Sequence, residues 1–94
     1  MPTIRIQHAV PSWDDWKQAF DRDPMDRKGS GVRRYSIHRS VDDPNVLMID
    51  LEFATLEQAE KYRVRLIELW SGPARALLRG PEAWVVEAVE SAEL

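Results

Sequence analysis

Four segments of the chain alternate hydrophobic and polar side chains, which is the periodicity of a half-buried β-strand. In the first segment, Ile4, Ile6 and His8 alternate with the more polar Thr3 and Arg5. The four predicted strands span residues 3–10, 32–40, 46–53 and 83–90. A turn signal, Asp-Asp-Pro-Asn, separates the second strand from the third, so these two strands are expected to form a hairpin.

The residues after the first strand change to helical spacing. Ser12 is a favoured helix N-cap with Asp15 three residues later, and Asp23-Pro24 should stop the helix. Four hydrophobic residues fall on one face of this helix: Trp13, Trp16, Ala19 and Phe20. The two tryptophans could line an aromatic pocket, but a pair at helical spacing is more typical of a core.

A second helix is predicted after the third strand. Thr55 and Gln58 have the spacing of a capping box, and Gly72-Pro73 breaks the helix. Its hydrophobic stripe contains Ala59, Tyr62, Leu66, Leu69 and Trp70, widened by Val64 and Ile67. One further short turn is expected between Ala74 and Arg79, ended by Gly80-Pro81.

The element order β-α-β-β-α-β is the split βαβ arrangement of an α+β, ferredoxin-like domain. Right-handed crossovers place the first and third strands at the centre of a four-stranded antiparallel sheet, with two helices on one face. The helix-covered face is then expected to carry Ile4, Ile6, Tyr35, Ile37, Leu47, Ile49, Leu51 and Phe53.

The opposite sheet face has no predicted helix to cover it, and we call it the open face. Arg5 should lie beside Asp50 there, as a cross-strand ion pair. If the last strand turns Trp84 and Val86 toward the helices, Ala83 and Val85 join the open face. This mixture of charged and apolar side chains suits a wetted sheet or a polar dimer interface, and we expect a homodimer.

Composition narrows the classes of function. The 94 residues are enough for one domain, residues 1–94, and the net charge is −3. An acidic chain is a poor partner for nucleic acid or an anionic membrane. It has no cysteine, which excludes disulfides and thiol chemistry. With no signal-peptide pattern and no membrane-spanning apolar run, a cytoplasmic location is expected.

Several ferredoxin-like families can be set aside on their motifs. The chain has no Cys-x-x-Cys pair for a metal chaperone. The loop after the first strand, Ala9-Val10-Pro11-Ser12, is not the Gly-rich, Arg-containing loop of an acylphosphatase. The middle strands lack the exposed aromatics that an RNA-binding sheet needs. The segment from Met48 to Glu60, Met-Ile-Asp-Leu-Glu-Phe-Ala-Thr-Leu-Glu-Gln-Ala-Glu, resembles a third strand running into a capped second helix in the dimeric α/β-barrel superfamily.

That superfamily includes antibiotic-biosynthesis monooxygenases, polyketide cyclases of the stress-responsive type and haem-degrading enzymes. The resemblance covers essentially the whole chain. It implies that two sheets pack into a barrel between protomers, with a ligand pocket in each protomer between the sheet and the helices. In cyclase-type relatives a catalytic histidine follows the second helix, whereas Arg75 stands at the corresponding position here, which argues against histidine-based cyclase chemistry.

Four residues are candidate ligand contacts in the cleft between sheet and helices: His8, Tyr35, Trp70 and Arg75. His8 could transfer a proton or bind a ligand, although a half-exposed histidine bonded to main chain is the simpler interpretation. An aromatic acid could stack on Trp70 while Arg75 holds its carboxylate. The structural alternatives are core packing for Trp70 and a solvated charge for Arg75.

No metal site or cofactor is predicted. Strand parity places His38 on the opposite sheet face from His8, so the two histidines cannot form a pair for a metal or haem. The basic loop from Asp26 to Gly31 lacks phosphate-loop spacing and is expected to be a solvated connection. Asp42 and Asp43 could bind a hard cation, but a turn is the ordinary role of such a pair.

The sequence therefore predicts a small-molecule-binding dimeric α/β barrel. It could be a cofactor-independent monooxygenase or a cyclase-like enzyme acting on an aromatic or polyketide-type ligand. The alternative is a non-enzymatic ligand-sensing or protein-interaction module with the same fold. A pocket containing the candidate residues would favour an enzyme, whereas an interaction module would fill that space with side chains.

Overall fold

The computed structural model describes the whole chain, residues 1–94. Its elements are β1 (Thr3–Ala9), α1 (Trp13–Asp21), β2 (Val32–Arg39), β3 (Val46–Phe53), α2 (Leu56–Ser71), a 3₁₀ turn (Arg75–Leu77) and β4 (Arg79–Val86). The strands form one sheet in the order β2-β3-β1-β4, and every neighbouring pair is antiparallel. The predicted α+β, ferredoxin-like fold with β1 and β3 at the centre is confirmed. No helix is long and apolar enough to span a membrane.

Both helices begin where the sequence predicts, because their N-terminal signals are local. The amide N–H of Asp15 donates to Ser12 Oγ at 3.2 Å, and that of Gln58 donates to Thr55 Oγ1 at 3.2 Å. The second capping box is only half formed, since Gln58 Oε1 is buried without a hydrogen-bond partner. That side chain is packed against the backbone of Gly31 instead.

The core lies between the sheet and the helices. The central strands contribute six buried residues to it: Ile4, Ile6, Leu47, Ile49, Leu51 and Phe53. Tyr35 shares this face but is 48% exposed, because β2 is an edge strand. Val64 and Ile67 do not widen the stripe of α2 as predicted. They are 57% and 41% exposed, since α2 buries only the side centred on Ala59, Tyr62 and Leu66.

The last strand differs from the prediction in position and orientation. It begins at Arg79, so Gly80-Pro81 lies inside it. Proline is tolerated on an edge strand, and Gly80 adopts a φ of +58° next to an irregularity in the pairing with β1. Ala83 pairs with Ile6 and is buried, whereas Trp84 pairs with Arg5 on the open face and is 45% exposed.

The open face is built from three rows of side chains across the four strands. Its central row is Ser36, Asp50, Arg5 and Trp84. Arg5 binds the Asp50 carboxylate through two hydrogen bonds, of 3.0 and 3.1 Å, as the sequence predicts. In the next row, Arg34 Nε lies 2.7 Å from Glu52 Oε2. Two ion pairs on this face are therefore made within one chain.

Candidate functional site

A cavity of about 260 Å³ lies between the helix-covered sheet face and the two helices. The sheet contributes its floor, α1 and α2 contribute its sides, and two connecting segments complete its wall. Most of the lining residues are hydrophobic. The residues that carry chemistry or aromatic rings are His8, Trp16, Phe20, Arg22, Asp23, Arg27, Tyr62 and Trp70.

His8 is the polar residue on the floor of the cavity. It is only 4% exposed, so the expectation of a half-exposed strand-end histidine is wrong, although the predicted main-chain bond is present. Its Nδ1 lies 3.2 Å from the carbonyl oxygen of Ala9. Because a carbonyl oxygen can only accept, Nδ1 carries the proton, and Nε2 of the neutral ring has a free lone pair.

The surroundings of His8 favour the neutral ring. The ring centroids of Trp16 and Trp70 lie 5.7 and 6.3 Å from that of the imidazole. Burial lowers the pKa of His8 below its ordinary value, opposed only in part by the hydrogen bond to Ala9. The site therefore presents a proton-accepting nitrogen between two indole rings.

Trp70 and Trp16 both belong to the cavity wall. Trp70 is partly buried and meets His8 edge to face. Trp16 is buried in the core, as predicted, and also lines the cavity. It stacks on Phe20 at a centroid distance of 5.1 Å. A planar ligand in the cavity would meet indole surface beside the imidazole.

Tyr35 and Arg75 lie outside the wall of this cavity. The Tyr35 ring packs against Phe20 with a centroid distance of 5.1 Å, so it supports the wall from behind. Arg75 is exposed in the 3₁₀ turn, although its neighbours Ala74 and Leu77 line the cavity. The structure brings His8 and Trp70 together, and ligand contacts from Tyr35 and Arg75 stay predictions.

The connection between α1 and β2, residues 22–31, contributes charge that the sequence did not reveal. We call it the cavity loop. Arg27 was expected in a solvated connection, but its side chain is only 15% exposed and lines the cavity. Its Nη1 donates to the carbonyl oxygen of Phe20 at 2.9 Å, and its Cζ lies 3.8 Å from the Phe20 ring centroid.

Tyr62 is a further polar group in the wall, although the sequence marked it only as part of the α2 stripe. It is 5% exposed and packs against Phe53, with ring centroids 5.3 Å apart. Burial raises the pKa of Tyr62 to about 12, and the positive charge of Arg27 opposes the rise. Its hydroxyl is therefore neutral and able to donate at ordinary pH.

Known structures with this fold support the architecture. SnoaB from Streptomyces nogalater, a cofactor-independent oxygenase crystallised in a mutant form, superposes with a TM-score of 0.75. It is 15% identical, and the match covers 96% of this chain and 94% of SnoaB. An antibiotic biosynthesis monooxygenase matches with a TM-score of 0.67 and 13% identity over 96% of this chain and 100% of that one.

A dimeric ferredoxin-like protein from an uncultured marine organism matches with a TM-score of 0.66 and 12% identity. That match covers 97% of each chain. No protein-family model matches the sequence, and no curated protein matches it. At these identities the structural matches establish the fold. The chain has the ferredoxin-like fold that its sequence predicted, and it shares that fold with these proteins.

Proposed function

We propose that this protein binds a small aromatic molecule in the cavity and oxidises it with dioxygen, without a cofactor. The observation that carries the proposal is the proton-accepting Nε2 of His8, held in an apolar cavity between Trp16 and Trp70. Aromatic walls bind a flat ligand, and a positioned base removes its proton.

The substrate supplies the electrons for this reaction. We envisage a methylene group flanked by an aromatic ring and a carbonyl, whose proton His8 removes to give an electron-rich carbanion. Dioxygen then adds to that carbon. Both C–H bonds are broken, a C=O bond forms, and the second oxygen atom leaves as water. The carbon loses four electrons and dioxygen gains four, so no external reductant is required.

The neutral state of His8 suits this role. A general base must be unprotonated at the working pH, and burial holds the imidazole in that state. Most of the cavity lining is hydrophobic, which limits contact between water and the reacting carbon and lengthens the life of the carbanion. SnoaB, a cofactor-independent oxygenase with this fold, is consistent with such chemistry.

The test is oxygen consumption with a small bicyclic probe, 2-tetralone, whose benzylic methylene lies next to a carbonyl. We expect uptake of dioxygen and transfer of one labelled oxygen atom into the product. His8→Gln should abolish oxygen uptake but still bind the probe. Probe binding is measured by the quenching of tryptophan fluorescence. His38→Gln, on the open face, is the matched control and should leave uptake unchanged.

Two results would contradict the proposal in different ways. Binding of the probe without oxygen uptake by the wild-type protein would favour the non-enzymatic ligand-sensing alternative. Full activity of His8→Gln would show that the imidazole is not the base.

We further propose that two copies of the chain associate through their open faces. The face carries two exposed apolar side chains, Met48 at 41% and Trp84 at 45%, and no element of the chain covers it. Its two ion pairs, Arg5–Asp50 and Arg34–Glu52, are already made within one chain, so burial would leave these four charges compensated. A known structure with this fold is described as dimeric.

A further inference from the structure

The charged residues of the cavity wall have the opposite sign to the whole molecule. Arg22 and Arg27 contribute two positive charges and Asp23 one negative charge, which leaves +1. No other lining residue is Asp, Glu, Lys or Arg, whereas the chain carries −3. All three residues lie on the cavity loop, so the excess positive charge is confined to the end of the cavity that this loop forms.

We propose that the ligand is an aromatic anion of one or two rings whose acidic group binds to Arg27. The inference rests on the proposed function, because it assigns the ligand of the same cavity. It differs from the arrangement predicted from the sequence, in which Arg75 holds the carboxylate.

Most of the hydrogen-bond donors of the Arg27 side chain are unused. A guanidinium carries five N–H groups in a planar fork, and only one side-chain hydrogen bond, to the Phe20 carbonyl, is formed. The nearest carboxylate oxygen, Asp23 Oδ1, lies 3.4 Å from Nη1, longer than the roughly 2.7–2.9 Å of a strong charge-assisted bond. Asp23 therefore neutralises Arg27 only in part, and an acidic ligand can approach the remaining donors.

The backbone of the cavity loop is ordered by its own aspartates. Asp23 and Asp26 adopt φ values of 52° and 47°, which aspartate tolerates because its short side chain bonds locally. Asp23 Oδ1 accepts from the amide N–H of Arg27 at 2.9 Å, and Asp26 Oδ1 accepts from that of Gly29 at 3.2 Å. The guanidinium is thus positioned before a ligand arrives, which reduces the entropy lost on binding.

The size of the cavity limits the ring count. An engineered apolar cavity of about 150 Å³ is large enough to bind benzene. At about 260 Å³, this cavity has room for one further ring or a substituent. Its aromatic sides, from Trp16 and Trp70, suit a flat ligand, and its single excess positive charge matches one acidic group.

The experiment compares 2-naphthoate with its neutral analogue 2-naphthamide by isothermal titration calorimetry. The wild-type protein should bind the acid at least about tenfold more tightly, since hydrogen bonds to charged groups contribute that much. Arg27→Gln should remove this preference and leave amide binding within about twofold. Arg27→Lys keeps the positive charge but loses the planar guanidinium fork. Its preference for the acid should therefore lie between those of the wild-type protein and Arg27→Gln.

Arg75→Gln tests the competing arrangement predicted from the sequence. If Arg27 holds the acidic group, this variant should bind both probes as the wild-type protein does. Thermal unfolding of each variant shows whether the loop still folds. If Arg27→Gln does not fold, the wild-type preference for acid over amide and the Arg27→Lys variant decide the question. Loss of the preference in Arg75→Gln instead would overturn the inference.

The outcomes also separate this inference from the proposed function. Equal binding of acid and amide by the wild-type protein would refute the anion site while leaving an aromatic ligand site in place. Binding of neither probe would contradict the ligand cavity itself, and the anion site with it.

Discussion

The charge state of His8 connects the proposed chemistry to the stability of the fold. In an unfolded chain a histidine has a pKa near 6.5, whereas burial lowers the pKa of His8 in the folded protein. Between these two pKa values the unfolded chain binds a proton that the folded chain does not. The free energy of unfolding must therefore fall as the pH falls through this window. The contribution of His8 to that free energy is complete above about pH 6.5.

We expect His8→Gln to flatten this pH dependence. From about pH 7 to about pH 5, the wild-type slope should contain a His8 contribution of at most about 1.4 kcal/mol per pH unit. The variant lacks the titrating group and should lose that contribution. Urea unfolding across a pH series measures it, with exposed His38→Gln as the control. Identical slopes for the wild-type protein and His8→Gln would show that His8 protonates equally well in the fold.

Single residues also show where sequence reasoning reaches its limit. Strand parity placed His8 and Tyr35 on the helix-covered face, because alternation is a local property of a strand. The degree to which each side chain is buried depends on other elements of the fold. His8 is enclosed by Trp16 and Trp70, which come from two different helices, whereas Tyr35 lies on an edge strand and stays 48% exposed.

The cavity loop and β4 are the two elements that the sequence described least well. Ala83, Trp84, Val85 and Val86 are all apolar, so the sequence offers no alternation that fixes which of them faces the helices. The structure settles it by pairing Ala83 with Ile6 beneath α2. In the cavity loop, the role of Arg27 depends on contacts with Phe20 that no spacing rule predicts. Elements bounded by Ser12 or Thr55 were predicted closely, because caps act within one turn.

The cavity loop joins β2 at Gly31, and we expect Gly31→Ala to destabilise the protein. Gly31 has a φ of +102°, and an added Cβ would lie 2.5 Å from Cδ of Gln58. Gly80→Ala is the matched control, since Gly80 also has a positive φ but has no atom within 4 Å of an added Cβ. The control isolates backbone strain, about 1–2 kcal/mol.

Gly31→Ala should therefore cost more than Gly80→Ala in the free energy of unfolding, measured by urea denaturation. Because Gly31 joins the cavity loop to β2, Gly31→Ala should also displace the loop and weaken binding of 2-naphthoate. Gly80→Ala should leave that binding unchanged. Equal losses of stability in the two variants would mean that Gln58 moves aside without cost.

The open face determines how the whole molecule meets a second copy of itself. The chain exposes 6554 Å² of surface, and a typical stable interface buries roughly 800 Å² on each partner. The open face has no covering helix, and its central row ends in Trp84 beside the Arg5–Asp50 pair. Tryptophan and arginine are the residues most often found at the energetic centre of interfaces.

We accordingly expect a homodimer whose formation depends on Trp84. Light scattering at micromolar concentration should give twice the chain mass of 10.9 kDa for the wild-type protein. Trp84→Glu should give the single-chain mass, because it would bury an unpaired carboxylate in the interface. Val64→Glu places the same charge on the exposed side of α2, where Val64 is 57% exposed, and should remain dimeric. A wild-type mass of 10.9 kDa would contradict the dimer. A dimer that survives Trp84→Glu but not Val64→Glu would place the interface on the helices instead of the sheet.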